Sequence, residues 1–358
     1  MVSIWPTVNP NSENYTAMRE RGYLVKAGDR RPLMAERPDK GAPSTMAYYD
    51  ATNPEARRFL WGQVREHYYR HGIRVWWLDA CEPDYPVHLA ERAHYAAGDG
   101  LEVGNLYPKM HAQGLYEGML EQAETEIVLL IRAAWAGSQR FATALWSGDI
   151  ASTFASLATQ IRAGLNVAMS GIPWWTTDIG GFHGGDPDDP HYRELFVRWF
   201  QYGVFCPLLR VHGDREPRTA FTADMTGGPN EVWSYGEEVY EILREHVLLR
   251  ERLRPYLMDQ MAAAHQRGAP PMRPLFFDFP TDPRAWTVED QFMFGPDVLV
   301  APVTTCGARE RQVYLPAGTR WLDAWTDQAS DGGATVTAAA PLEHIPVYLR
   351  AGSTLRLA

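Results

Sequence analysis

The feature that most constrains this chain is a short apolar run that stops on a polar or charged residue and is followed by a helical pattern, repeated along the first two hundred or so residues. Residues 73–78 read Ile-Arg-Val-Trp-Trp-Leu and stop at Asp79; residues 127–131 stop at Arg132; residues 141–146 lead to Ser147, Gly148 and Asp149. Residues 165–169 lead to a Trp-rich loop that holds Trp175 and Asp178, and residues 205–209 run into Arg210 and His212. A compact apolar run of this length is how a strand buried on both faces reads, and the residue after it sits at the strand's C-terminal edge. Between the runs, residues 53–70 carry Phe59, Leu60, Val64 and Tyr68 at helical spacing after an Asn-Pro start and before Gly72, and residues 153–163 and 192–204 also read as helices. Strand, polar tip and helix in repetition predict a parallel α/β barrel, in which functional groups come from the C-terminal ends of several strands. Together with the apolar run at residues 2–5, ended by Pro6, about six strands are predicted, where a closed barrel of this kind needs eight.

After a helical stretch at residues 233–264 the texture changes. Pro270 and Pro271 are followed by short β-rich runs at residues 298–303, 312–315 and 345–349, separated by Gly and Asp turns, which predict an appended antiparallel sandwich. The fold class expected is therefore α/β: an incomplete (β/α)8 TIM barrel, roughly strands 3 to 8, over residues 1–268, and a small all-β sandwich over residues 269–358. Two units also suit 358 residues, since single cores stop growing at roughly 250–300 residues.

Composition narrows the ligand. No run of about 18 or more apolar residues could cross a bilayer. A net charge of −10 with no dense Lys/Arg block would repel a phosphate backbone, so nucleic acid and membrane are poor partners and a neutral ligand suits the chain better. Aromatics make up 12% of residues, with 13 Trp, many beside carboxylates, as expected where flat apolar faces stack on sugar rings and acids hydrogen-bond the hydroxyls. Three widely separated cysteines without CxxC spacing, and a first segment with neither a basic nor an apolar leader, predict a cytoplasmic protein, or a periplasmic or secreted one if the natural N-terminus lies further upstream.

Two carboxylates stand out because each ends a predicted strand in an aromatic setting: Asp79 after Trp76-Trp77-Leu78, and Asp149 after Trp146-Ser147-Gly148. A retaining glycosidase needs such a pair, one to attack the anomeric carbon and one to protonate the leaving oxygen. A lone Asp more commonly caps a helix or a turn; two at strand tips weaken that explanation. Arg132, Asp178, Arg210 and His212 share the strand-end position and are candidates for the surrounding shell, Arg132 as the charge that lowers a carboxylate's pKa and Asp178 and His212 as hydrogen-bond partners of sugar hydroxyls. Cys81 has no His close by in sequence to activate it and reads as packing. The spacing of His183, His191 and His212 fits no compact metal-ligand motif, and Gly180-Gly181-Phe182-His183-Gly184-Gly185 lacks the order and the basic residue of a phosphate loop. Neither a metal nor a cofactor is expected.

Taken together these strings resemble family 31 of the glycoside hydrolases, the retaining α-glucosidases and α-xylosidases. Trp77-Leu78-Asp79-Ala80-Cys81-Glu82-Pro83 is similar to that family's nucleophile segment, and Trp146-Ser147-Gly148-Asp149 to its acid/base segment, in the same order. Arg132, Trp146, Asp178, Phe182 and His212 fall where the family places its nonreducing-sugar subsite; Trp5, Trp77 and Trp175, in neighbouring strings, complete the substrate-binding candidates. Arg198-Trp199-Phe200-Gln201 matches a further family segment, and Gly295-Pro296-Asp297-Val298-Leu299-Val300-Ala301-Pro302 resembles the start of its proximal β-domain. Asn105-Leu106-Tyr107-Pro108 and Gly114-Leu115-Tyr116-Glu117-Gly118 lean toward the α-xylosidases. The resemblance implies an N-terminal β-sandwich and two further barrel strands before Ser3-Ile4-Trp5-Pro6. The chain is thus expected to be a fragment, or to work with a homo-oligomeric or other partner chain that supplies the missing strands.

The expected reaction is double displacement on α-xylosides or α-glucosides of oligosaccharides. Asp79 attacks C1 while a protonated Asp149 donates to the departing oxygen, and water then resolves the glycosyl-enzyme with Asp149 as base. The rivals are a catalytically impaired sugar-binding barrel fragment and a transglycosylase that uses the same covalent intermediate.

Overall fold

A computed structural model describes residues 1–37, 44–83, 87–221 and 224–357. The chain forms two compact units, Met1–Trp146 and Ser147–Ala358.

In the first unit four strands run parallel: Val2–Ser3, Trp76–Leu78, Leu129–Ile131 and Thr143–Trp146. Their register pairs Ser3 with Trp77, Trp77 with Leu130, and Leu130 with Ala144. Because side chains alternate along a strand, one face carries Trp76, Leu78, Leu129 and Ile131, which pack with Ile4, Trp61, Val64, Leu115 and Met119 into a hydrophobic core. Each large apolar side chain buried there contributes about 1.5–3 kcal/mol. The other face carries Trp77, Leu130, Ala144 and, at the strand ends, the residues of the candidate site.

The helices that cover the core face form for local reasons. Pro54–His67 begins on Asn53, whose side chain accepts the Glu55 backbone N–H at 2.9 Å, with Pro54 in its first turn. Tyr107–Leu120 packs against it through Gly118: a Cβ there would lie 2.3 Å from the Trp61 ring, so only glycine allows the approach. A second apolar cluster, around Met18, Leu24, Leu33, Tyr48 and Tyr107, underlies a three-stranded antiparallel sheet of Thr7–Val8, Ser44–Tyr48 and Met34–Arg37, an element that sequence periodicity did not suggest.

In the second unit the helices Phe154–Met169, Pro190–Val204, Glu237–Arg252 and Arg254–Arg267 agree with the helical readings of residues 153–163, 192–204 and 233–264. Residues 165–169, expected as a strand, are instead the last turn of Phe154–Met169. Leu157, Ile161, Leu165 and Ala168 are buried at helical spacing along it, and Gly164 makes room for the Trp175 ring. The strand is the two-residue Trp175–Thr176 that follows. Residues 205–209 form no strand either. Leu208 N–H donates to Trp175 C=O at 3.2 Å, but Pro207 has no N–H to continue a ladder, and Arg250 takes the Cys206 and Pro207 carbonyls at 2.7 and 2.8 Å.

Beyond Gly268 the second unit is mostly antiparallel β-structure. One sheet orders Met272–Arg273, Phe292–Phe294, Val298–Val300, Val347–Arg350, Arg320–Asp323 and Ala329–Asp331; a separate pair joins Glu310–Leu315 to Ala334–Ala339. Leu299, Val313, Leu315, Trp321, Ala338 and Tyr348, drawn from both sheets, share one core. The Arg198-Trp199-Phe200-Gln201 string binds this β-structure to helix Pro190–Val204: the fully buried Arg198 guanidinium donates to the carbonyls of Ala340, Pro341, Ala308 and His344 at 2.8–3.1 Å, and Gln201 to that of Leu342 at 2.7 Å. Among the described residues no helix is long and apolar enough to cross a membrane.

Candidate active site

The parallel register decides what stands at the C-terminal edge of the first unit's sheet. Extended by one residue past Leu78↔Ile131 and Ile131↔Leu145, it aligns Asp79, Arg132 and Trp146 in one row on the face opposite the core, with Trp77 two residues below Asp79 on the same face. The Trp77 and Trp146 rings meet edge to face with centroids 5.9 Å apart. Arg132 Nε lies 3.3 Å from Asp79 Oδ1 and its Nη2 2.6 Å from Glu82 Oε1, with the Asp79 and Arg132 side chains each 14% exposed. The chain turns sharply after Asp79: Ala80 adopts a φ of 51°, a left-handed conformation unusual for a residue with a Cβ. Before the turn the Ala80 N–H donates to Asp79 Oδ1 at 2.9 Å. Asp79 is thus a carboxylate partly open to solvent, fixed by one backbone donor and one guanidinium. Trp5 is half-buried near the end of the neighbouring Val2–Ser3 strand.

Cys81 has no exposure, and burial pushes its thiol up to about 12. It stays protonated and packs in the core, as the sequence reading of it holds. Glu82 was noticed only as part of a family string, yet it shares Arg132 with Asp79. Its position three residues after the strand-tip carboxylate was the available signal.

In the second unit three loops are stitched together. Phe182 and His183 N–H groups donate to Ile150 C=O at 2.7 and 3.0 Å, and Asp214 N–H donates to Phe182 C=O at 2.8 Å. This joins the loop after Asp149, the glycine-rich loop after Asp178, and the segment containing Arg210 and His212. The glycine-rich segment is therefore a junction: Gly181 sits at φ 82°, and a Cβ there would lie 2.5 Å from the Ser152 backbone, so the loops close only around glycine. Arg215, which sequence reasoning missed, is their organiser. Fully buried, it donates to the carbonyls of Ile179, Gly181 and Gly184 at 2.9, 2.8 and 3.1 Å. Its signal was a glycine-rich turn whose carbonyls need a buried donor.

Asp178 has no exposed side-chain surface. Its Oδ1 accepts from Arg210 Nη1, while its Oδ2 is buried with no hydrogen-bond partner among the described residues. Burial outweighs the Arg210 charge, and with Asp149 adding a smaller like-charge push it raises the Asp178 carboxyl to about 7. An unsatisfied buried carboxylate oxygen suits a hydroxyl donor brought by a ligand. His212 stacks loosely on Phe182, centroids 5.5 Å apart at 31°; burial, then the Arg210 and Arg215 charges, lower its imidazole to about 4, so it is neutral at ordinary pH and can accept as well as donate. Trp175 is buried, its indole N–H 3.2 Å from Tyr202 Oη.

The model of the glycosyl hydrolases family 31 TIM-barrel domain matches residues 1–260, and that of the family's C-terminal domain matches residues 268–355. The chain belongs to glycosyl hydrolase family 31. Among solved family 31 structures, an α-xylosidase from a soil metagenome complexed with xylose is 52% identical with a TM-score of 0.93, over 99% of this chain and 53% of that one. The α-xylosidase of Saccharolobus solfataricus is 36% identical over 99% of this chain and 45% of its own length, and α-xylosidase A of Aspergillus niger 37% identical over 97% and 52%. The chain thus spans about half the length of these family 31 relatives.

Proposed function

We propose that this chain carries the catalytic centre of a retaining α-glycosidase that hydrolyses α-linked xylose, or glucose, from oligosaccharides by double displacement. The observation that carries the reading is the strand-tip carboxylate of Asp79, partly accessible, with one oxygen held by the Ala80 N–H and by Arg132. A nucleophilic carboxylate is served by this arrangement, restrained in rotation and reachable. In the first step Asp79 forms a bond to C1 as the C1–O bond to the aglycone breaks and Asp149 delivers its proton to the departing oxygen. In the second, Asp149 removes a proton from water, whose oxygen attacks C1 and frees Asp79.

The substrate shell we assign to Trp5, Trp77, Arg132, Trp146, Trp175, Asp178, Phe182 and His212. Asp178 supports this with its unpartnered buried oxygen; Phe182 and His212 support it as a paired aromatic wall. Trp175 is buried against Gly164 and Tyr202, so its part would be indirect. Xylose is favoured because the relatives named above are α-xylosidases. The finer architecture proposed with it is an incomplete (β/α)8 barrel over residues 1–268 and a β-sandwich over residues 269–358. Sedimentation of the active species distinguishes a monomer from an assembly in which a second copy or a partner chain contributes strands. Free Cys81, Cys206 and Cys306 support a reducing compartment.

Nitrophenyl α-xyloside and α-glucoside, with the Asp79→Ala and Asp149→Ala variants, test the reading. Asp79→Ala is expected to remove turnover on every substrate. Asp149→Ala is expected to spare activated aryl glycosides while stopping cleavage of sugar leaving groups, since only the latter need the proton. Equal losses on both substrate types would overturn the assignment of Asp149.

A further inference from the structure

Within the second unit, a cavity of about 580 Å³ lies between helix Glu237–Arg252 and the β-structure, and none of its lining residues belongs to the candidate active site. On the helix side Ile242, His246 and Leu249 line it from one helical face, at spacings of four and three residues. On the other side Trp325 and His344 stack with ring centroids 4.4 Å apart and planes 2° from parallel. The Trp325 residue is held at both ends: its indole N–H donates to Ile345 C=O at 2.8 Å and its backbone N–H to Asp323 Oδ1 at 2.9 Å. The cavity thus has a fixed aromatic wall facing apolar side chains, as a preformed ligand site does.

His246 supplies the polar point. The residue is 3% exposed, and its Nδ1 lies 2.8 Å from the Ile242 carbonyl. A carbonyl can only accept, so Nδ1 carries the proton and Nε2 is left as an acceptor. That Nε2 is buried with no hydrogen-bond partner among the described residues, and such a group calls for a donor brought by a ligand. The charges around the cavity do not favour a cation as that donor. Glu241 and Glu245 are both engaged by Arg244, at 3.1 and 3.0 Å, and Arg252 joins Glu343 in the lining, so the balance is close to neutral.

We propose that this cavity is a second carbohydrate-binding site, separate from the catalytic residues: a pyranose ring lies against the Trp325 and His344 stack and gives a hydroxyl hydrogen to His246 Nε2, with the carboxylates around it accepting from further hydroxyls. The site binds without chemistry. It goes beyond the glycosidase reading and does not depend on Asp79 or Asp149.

The test is calorimetric titration with a thiomaltoside, whose sulfur-linked glycosidic bond resists hydrolysis, into the unsubstituted chain and into His246→Leu and Glu343→Lys. Each substitution is expected to weaken one binding event roughly tenfold, the worth of a hydrogen bond to a buried acceptor. Turnover of the small nitrophenyl α-xyloside and α-glucoside should stay within about twofold, since neither substitution touches the reacting groups. Glu343 is exposed, so Glu343→Lys tests the cavity even if His246→Leu fails to fold. A crystal soaked with the thiomaltoside should show a sugar ring against Trp325 and a hydroxyl within hydrogen-bond distance of His246 Nε2. A titration that neither substitution alters, an empty cavity in the soaked crystal, or butylammonium binding there in the sugar's place overturns the proposal. The titration reads binding without turnover, so its failure and failure of the glycosidase reading, which Asp79→Ala reports, remain distinguishable.

Discussion

Two guanidinium–carboxylate pairs, one in each compact unit, use the same chemistry to opposite ends. Arg132 meets Asp79 at 3.3 Å through Nε, shares itself with Glu82, and leaves the Asp79 side chain 14% exposed. Arg210 grips an Asp178 that has no exposure and whose second oxygen is unpartnered. In the first pair the carboxyl group stays near water, with a cation beside it. In the second, burial wins over the cation and lifts the carboxyl to about 7. The first arrangement suits a group that must attack; the second suits one that must receive a donor in a dry place. The difference comes from position in the fold: Asp79 follows directly on a strand, whereas Asp178 is enclosed by the stitched glycine-rich loop.

The contrast can be broken from either side. Arg210→Met leaves Asp178 buried without its cation, and a fall in unfolding free energy of about 3–5 kcal/mol is expected above pH 7, from the cost of breaking a buried pair. The loss should shrink at lower pH, where the carboxyl takes a proton instead; denaturant melts at two pH values measure it. Arg132→Met should act mainly on chemistry, lowering kcat roughly 10²–10³-fold by removing a charged group from a reacting centre, with a smaller change in Tm than Arg210→Met. If Arg132→Met instead destabilised the fold as much as Arg210→Met while sparing kcat, the distinction between the two pairs would be lost.

A finer probe is the pH dependence of stability. The Asp178 carboxyl holds its proton to about 7 when folded and only through the ordinary carboxylate range when unfolded. Between those limits the folded state binds the extra proton, so this group's contribution falls as pH rises toward 7. Asp178→Asn should flatten that slope, read as Tm against pH. His212 is lowered to about 4; because its folded pKa lies below the unfolded one, its contribution is present at neutral pH and lost only as pH falls through the unfolded pKa toward 4.

What could be read in advance follows from how local each signal is. Asp79 and Arg132 were visible because a fully apolar strand can end on a polar residue only at its edge, and the structure puts both at the edge of the parallel sheet, in one row. The residues at 165–169 misled because five apolar residues read alike in a strand and in a buried helix; only the longer series from Leu157 to Ala168 shows the helical spacing. Residues 205–209 failed for a different reason, since Pro207 and the Arg250 side chain act on the backbone rather than on the hydrophobic pattern. Arg215 and the Ala80 turn were invisible because their roles depend on carbonyls and dihedral angles that no residue pattern displays. The family resemblance supplied what pattern could not: which of the two strand-tip acids attacks and which donates the proton.

The most direct measurement is to trap the covalent intermediate. Reaction with a fluorinated xylosyl fluoride, followed by proteolysis and mass mapping, should place the sugar on the peptide containing Asp79 and on its carboxylate. A sugar attached to another side chain, such as Asp178, or turnover that survives in Asp79→Ala, would contradict the account.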